Sequence, residues 1–185
     1  MKNGRWVTAG NWVHGRGGVA VLADGTVRVG FYADPSEATV RAVFEEPGNP
    51  IREFMGGGAL IVEGGATVSS ADLRDRQGFE RGADAPQFER VARHIMIAVH
   101  ADGAPYLVID MSPKRLAAMQ TDLIAAGFRD VVMFDGGHAF GYEDGQRALF
   151  GRVLGWQPAG LSDAAVAALR GGHAVALTGF AIKTR

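Results

Sequence analysis

The 185-residue chain contains no cysteine. Disulfides, thiol nucleophiles and thiolate metal centres are therefore excluded. Long hydrophobic runs are also missing. No segment approaches the roughly 18 uninterrupted apolar residues of a membrane-spanning helix. Met1 to Trp6 lacks the apolar stretch of a secretory leader. A soluble protein is expected, cytoplasmic, or secreted if the chain is trimmed. Neither sign of charge is in excess, since the formal net charge is -1. That leaves no electrostatic case for nucleic acid or an anionic membrane as partner.

Glycine, by contrast, is abundant. The 27 glycines fall in clusters: Gly17-Gly18, Gly56-Gly57-Gly58, Gly64-Gly65, Gly136-Gly137 and Gly171-Gly172. Clustered glycines between apolar runs imply tight turns and close backbone approaches. A hydrophobic content of 47% suffices for one substantial core. One domain over 1–185 is expected, with a core over 1–158 and a C-terminal helix-strand extension over 159–185.

Two hairpins stand out. Val19 to Leu22 and Val27 to Phe31 flank Ala23-Asp24-Gly25. Ile95 to Val99 and Tyr106 to Asp110 flank Ala101-Asp102-Gly103. Asp34-Pro35-Ser36-Glu37 suits a helix cap, but the alternation of Val40, Ala42 and Phe44 also suits a strand. A short buried strand is expected at Ala59 to Val62, after a triple-glycine approach. A polar, irregular loop is expected from Ala66 to Gln87. Ser112-Pro113 has the form of a helix start, and Leu116, Met119, Leu123 and Ala126 make a buried stripe closed by Gly127. Val131 to Phe134 is the next strand. Residues 106–135 thus read as a βαβ crossover of the usual right hand. Further on, helices are expected over 146–154 and 162–170 and a strand over 174–182. The fold class is α+β: a twisted mixed sheet with two hairpins, a βαβ unit and helices packed on the sheet.

The apolar run Val131 to Phe134 ends in Asp135-Gly136-Gly137-His138. A buried strand that delivers a carboxylate to a sharp turn is one way to build a site. A polar turn is the alternative. Asp135 and His138 would make half a metal site, but no motif supplies the other ligands. No metal and no cofactor is expected.

Gly58-Ala59-Leu60-Ile61-Val62-Glu63-Gly64, then His94-Ile95-Met96-Ile97-Ala98-Val99 with Asp102-Gly103, then Phe134-Asp135-Gly136-Gly137, occur in that order. This order resembles the phosphodiester glycosidase family over about residues 55–138. The resemblance implies a hydrolase that cleaves a sugar-1-phosphate diester, such as an N-acetylglucosamine-1-phosphodiester, on its glycosidic side. The partner would be a small or polymeric sugar phosphate. Asp135 would be the carboxylate at the reacting carbon, and His138 an acid or ligand-binding group. Arg93 or His94 would hold phosphate, because the hairpin register puts the family's arginine on one or the other. The family's asparagine near the N-terminus would fall on Thr8 or be supplied by Asn11. The Gly136 and Gly137 amides, and those of Gly57 and Gly58, would cradle an anion. The third glycine of the family pattern is His138 here. A non-catalytic carbohydrate- or phosphate-binding module on the same fold is the alternative.

Overall fold

The computed structural model describes residues 1–7, 14–79 and 92–136, together with two paired dipeptides, Glu143–Asp144 and Arg147–Ala148. For 92–93, 109–113, 135–136 and those dipeptides the description is of the backbone. The main elements are β1 (Arg16–Leu22), β2 (Val27–Tyr32), α1 (Glu37–Phe44), β3 (Ile51–Glu63), β4 (Ala66–Thr67), α2 (Ser70–Asp75), β5 (Ala92–His100), β6 (Pro105–Lys114), α3 (Leu116–Ala125) and β7 (Phe128–Gly136). They form one seven-stranded sheet in the order β2-β1-β3-β7-β5-β6, with the short β4 also paired to β3. The class is α+β. Among the described residues no helix is long and apolar enough to cross a membrane.

The two hairpins form where Asp-Gly turns separate the apolar runs. The βαβ unit takes a split form. β6 and β7 each run antiparallel to β5, which lies between them, so α3 carries the chain over one strand.

The ambiguous segment after Asp34 is helical. Ser36 Oγ accepts the Thr39 amide at 3.2 Å, while Asp34 accepts from Ser36 N at 2.9 Å and from Thr39 Oγ1 at 2.6 Å. This is an N-cap backed by a second acceptor. Val40 and Phe44, four residues apart, then fall on one stripe and bury against Ala20, Leu22, Tyr32 and Ile51.

Other expectations are corrected. The triple glycine is no approach to a short strand; it lies inside the 13-residue β3. The expected loop after Ala66 contains β4 and α2. Ser69 caps α2 by accepting the Asp72 amide at 3.0 Å, and Leu73 anchors it in the core. Ser112-Pro113 does not start a helix. β6 runs on to Lys114, which pairs with Ala92, and the register jumps from Asp110 to Lys114 against only His94 to Ala92. Residues 111–113 therefore bulge from an edge strand, where a proline forfeits no ladder bond. Helix α3 starts at Leu116 without a side-chain cap. Its buried stripe is Leu116, Met119, Gln120 and Leu123, and Ala126 is exposed at the C-cap. Gly127 follows with φ +86°, the left-handed geometry that ends a helix. Of the helix expected over 146–154, Arg147–Ala148 is extended. Residues 149–185 lie outside the described part.

The main core joins Leu60 to Val62 of β3, Met96 and Ala98 of β5, Val131 and Val132 of β7, and the stripe of α3. Two buried glutamines complete it. Gln120 Nε2 donates to the Ile61 and Val68 carbonyls at 2.7 and 2.8 Å. Gln77 accepts from Leu60 N and donates to Leu60 O, both at 2.8 Å. Strand β1 reaches only as far as Gly58 along β3, and β4 takes over at Val62. Gln77 stands in for a strand at the gap between them.

Candidate functional site

One place in the sheet gathers several of the residues singled out from sequence. The ladder between β3 and β7 runs from Val62 and Val131 to Ala59 and Met133, and ends there. Beyond that point β3 continues paired with β1, through Gly58 with Gly17 and Gly56 with Gly18. Strand β7 continues paired with β5, through Asp135 with Ile95 and Gly136 with His94. The sheet forks. Gly57 and Gly58 lie on one branch; Asp135 and Gly136 end the other.

The glycines at the fork have packing reasons. A Cβ on Gly58 would sit 2.4 Å from Val132 Cγ1 and 2.9 Å from the Met133 carbonyl, with Phe134 Cδ1 at 3.1 Å. Any side chain there would push the branches apart. Gly57 has φ +99° and is the extra residue of a bulge, since Gly17 pairs with Gly58 but Gly18 with Gly56. A Cβ on Gly56 would meet the Tyr32 hydroxyl at 2.4 Å. That hydroxyl faces the Gly57 amide. Burial still holds the Tyr32 phenol above its ordinary range, against the smaller pull of the Gly57 amide and the Arg16 charge.

His94 is buried at 6% exposure, in a row with Met96 and Ala98, while Ile95 and Ile97 are half-buried. Cross-strand partners share a face and neighbours alternate. In the backbone register Asp135 pairs with Ile95, and Gly136 with His94. The backbone of Asp135 and Gly136 thus adjoins that of Ile95 and His94, with Gly57 and Gly58 across the fork. Asn11, Gly137 and His138 lie outside the described residues. Among the described residues no three His, Asp or Glu side chains converge as metal ligands.

Sequence reasoning passed over Arg16. It begins β1 beside the fork, is 6% exposed, and holds its guanidinium carbon 3.9 Å from the centre of the Phe79 ring. The signal was there: a single cation in Gly15-Arg16-Gly17-Gly18, within an otherwise apolar run. Phe79 reaches it because Gln77, two residues earlier, is tied to Leu60, and because His14 covers Gly78 with its ring carbon 2.4 Å from where a Cβ would stand.

The fold has a counterpart among solved structures. The catalytic domain of zebrafish N-acetylglucosamine-1-phosphodiester α-N-acetylglucosaminidase, in a form auto-inhibited by its pro-peptide, is similar over 75% of this chain with a TM-score of 0.54 and 13% sequence identity. At that identity the likeness is one of fold. The chain spans 45% of the length of the zebrafish one. A hypothetical protein from Synechocystis matches over 74% of this chain and 33% of its own, at 18% identity and a TM-score of 0.39. No protein-family model and no curated protein matches the sequence.

Proposed function

We propose that this protein is a hydrolase of the phosphodiester glycosidase type, which cleaves a sugar-1-phosphate diester between the anomeric carbon and the bridging oxygen. N-Acetylglucosamine-1-phosphodiesters are the first substrates to try. The observation that supports this reading is the fork, where the β7 terminus carrying Asp135 lies beside the start of β5 and across from Gly57 and Gly58. The fold shared with the zebrafish catalytic domain adds to it.

In this reading Asp135 is the carboxylate that meets the oxocarbenium-like carbon, as nucleophile or electrostatic partner. The leaving group is a phosphate monoester, a weak base, so departure needs little protonation and much anion binding. Arg93 is preferred over His94 as a phosphate ligand. An arginine is charged at every working pH and binds phosphate through two N–H groups, whereas a histidine binds it only when protonated. In the same reading Gly136, Gly137 and His138, which follow Asp135 in sequence, and Asn11 near the N-terminus are the further groups that would contact the substrate.

The packing found at Gly57 and Gly58 favours a second reading on one point. These glycines are needed for the fold whether or not chemistry follows, so a non-catalytic sugar-phosphate-binding module would keep them too. Incubation with the methyl phosphodiester of N-acetylglucosamine 1-phosphate, or with UDP-N-acetylglucosamine, separates the two. Release of free sugar by the wild type, reduced by about 10²-fold or more in Asp135→Asn, supports the hydrolase. Binding without release by either protein supports the module.

A further inference from the structure

We propose that Tyr32 is a positioning residue of the fork: its hydroxyl holds the bulge at Gly57, and with it the wall opposite the end of β7. The proposal rests on the hydrolase reading for the reaction performed there, but not for the hold on Gly57.

On the side away from β1, strand β3 is paired at both ends of a short stretch. The Phe54 amide donates to the Met1 carbonyl at 3.1 Å, and the Phe54 carbonyl accepts from the Met1 amino group at 2.9 Å. The ladder to β7 begins at Ala59. Among the described residues no strand pairs with Met55 to Gly58 on that side, so this stretch borders the fork. On the other side β1 pairs with Met55, Gly56 and Gly58 and passes over Gly57. The bulge residue, with its φ of +99°, has no ladder partner.

Tyr32 supplies one. Its ring leaves the end of β2, lies over Gly18 of β1 and reaches Gly56 of β3. A Cβ on Gly18 would stand 3.2 Å from Tyr32 Cε1, and one on Gly56 would stand 2.4 Å from the hydroxyl. Two bare glycines thus let one side chain cross two strands, and the Gly57 N–H donates to its oxygen. Tyr32 is 2% exposed and meets the Phe54 ring edge-on, with centroids 5.5 Å apart. A ring locked by packing gives its hydroxyl one position. Phenylalanine would fill the same space without burying an oxygen, so the hydroxyl serves Gly57 rather than the core. Burial also holds the phenol above its ordinary range, which keeps it a neutral acceptor.

Tyr32→Phe removes the oxygen and keeps the ring. Its Gly57 amide should exchange with deuterium about tenfold faster or more than in the wild type. With the methyl phosphodiester of N-acetylglucosamine 1-phosphate, kcat should fall about tenfold or more while KM changes by less than about twofold, since a displaced wall costs the transition state more than the ground state. The ratio of wild-type to variant kcat should stay constant between about pH 5 and 9, because Tyr32 passes no proton to the substrate. Val40→Ala, in the same core cluster, is the control: it should lower Tm and leave kcat unchanged. Circular dichroism checks that each variant is folded. An unchanged kcat in Tyr32→Phe beside active wild type keeps the hydrolase and overturns the proposal. So does an equal fall in Val40→Ala, a Gly57 amide as protected as in the wild type, or a ratio that titrates with pH. Where the wild type binds N-acetylglucosamine 1-phosphate but releases no sugar, the hydrolase reading fails and isothermal titration decides. Affinity several-fold weaker in Tyr32→Phe then sustains the proposal, and equal affinity overturns it. A wild type that neither releases nor binds the sugar phosphate overturns both.

Discussion

Replacing Gln77 by leucine tests the packing beneath the site. Leucine fills nearly the same volume but offers neither acceptor nor donor. The Leu60 amide and carbonyl, each now 2.8 Å from the glutamine side chain, would be left buried without partners. Each such group costs about 1–3 kcal/mol. A little of this is regained from the apolar surface of the new side chain. The net loss is about 3 kcal/mol. For a domain of this size that lowers Tm by roughly 6–12 °C. Thermal and urea melts followed by circular dichroism give the shift, and an unchanged urea m-value would show that the denatured state has not been altered. Hydrogen exchange adds a local readout, since the Leu60 amide should lose protection in the variant and its neighbours in β3 should lose less. Gln77→Glu keeps the acceptor, loses the donor and sets a carboxylate against the Leu60 carbonyl, so it too should destabilise. A shift under about 2 °C with Leu60 still protected would refute the view that Gln77 replaces a missing strand.

Two further outcomes follow from the same geometry. Gly58→Ala puts a methyl group 2.4 Å from Val132 Cγ1 and against a backbone carbonyl, and should cost about 1–3 kcal/mol in urea melts. Gly30→Ala, whose Cβ would meet Phe44 at 3.4 Å, should stay within about 1 kcal/mol; equal costs would contradict the close approach at the fork. Hydrogen bonds from Ser36 and Thr39 hold the Asp34 carboxyl below its ordinary value of 3.8. Its stabilising effect is therefore full above that value and lost as pH falls through the folded one. Asp34→Ala should melt below the wild type at pH 7, and the gap should close at about pH 2; a gap independent of pH would remove the carboxylate from the helix cap.

The hairpins, the strand into Asp135 and the α+β class were legible because each rests on local chemistry: Asp-Gly turns, β-branched alternation, and a stripe at Leu116, Met119 and Leu123. The failures share a different cause. Ser112-Pro113 has every local mark of a helix start, yet the pairing of Lys114 with Ala92 keeps the chain extended. The triple glycine reads as a turn, because the reason for it lies in Tyr32 and Val132, far away in sequence. The segment after Ala66 reads as irregular because its buried side chains among the described residues, Val68, Leu73 and Gln77, are few, and Gln77 is polar. At the site, the meeting of β7 with β5 could be anticipated from the order of the motifs. Arg16 could not, since no motif marks it and its burial depends on Phe79, sixty-three residues further on.

The central claim is that the fork ending in Asp135 cleaves a sugar-1-phosphate diester at the carbon. Turnover of the methyl phosphodiester of N-acetylglucosamine 1-phosphate in ¹⁸O-labelled water, read by mass spectrometry, tests it most directly. The account predicts that the label enters the free sugar, that methyl phosphate carries none, and that Asp135→Asn releases neither. Label in the phosphate product, or equal turnover by Asp135→Asn, would contradict it.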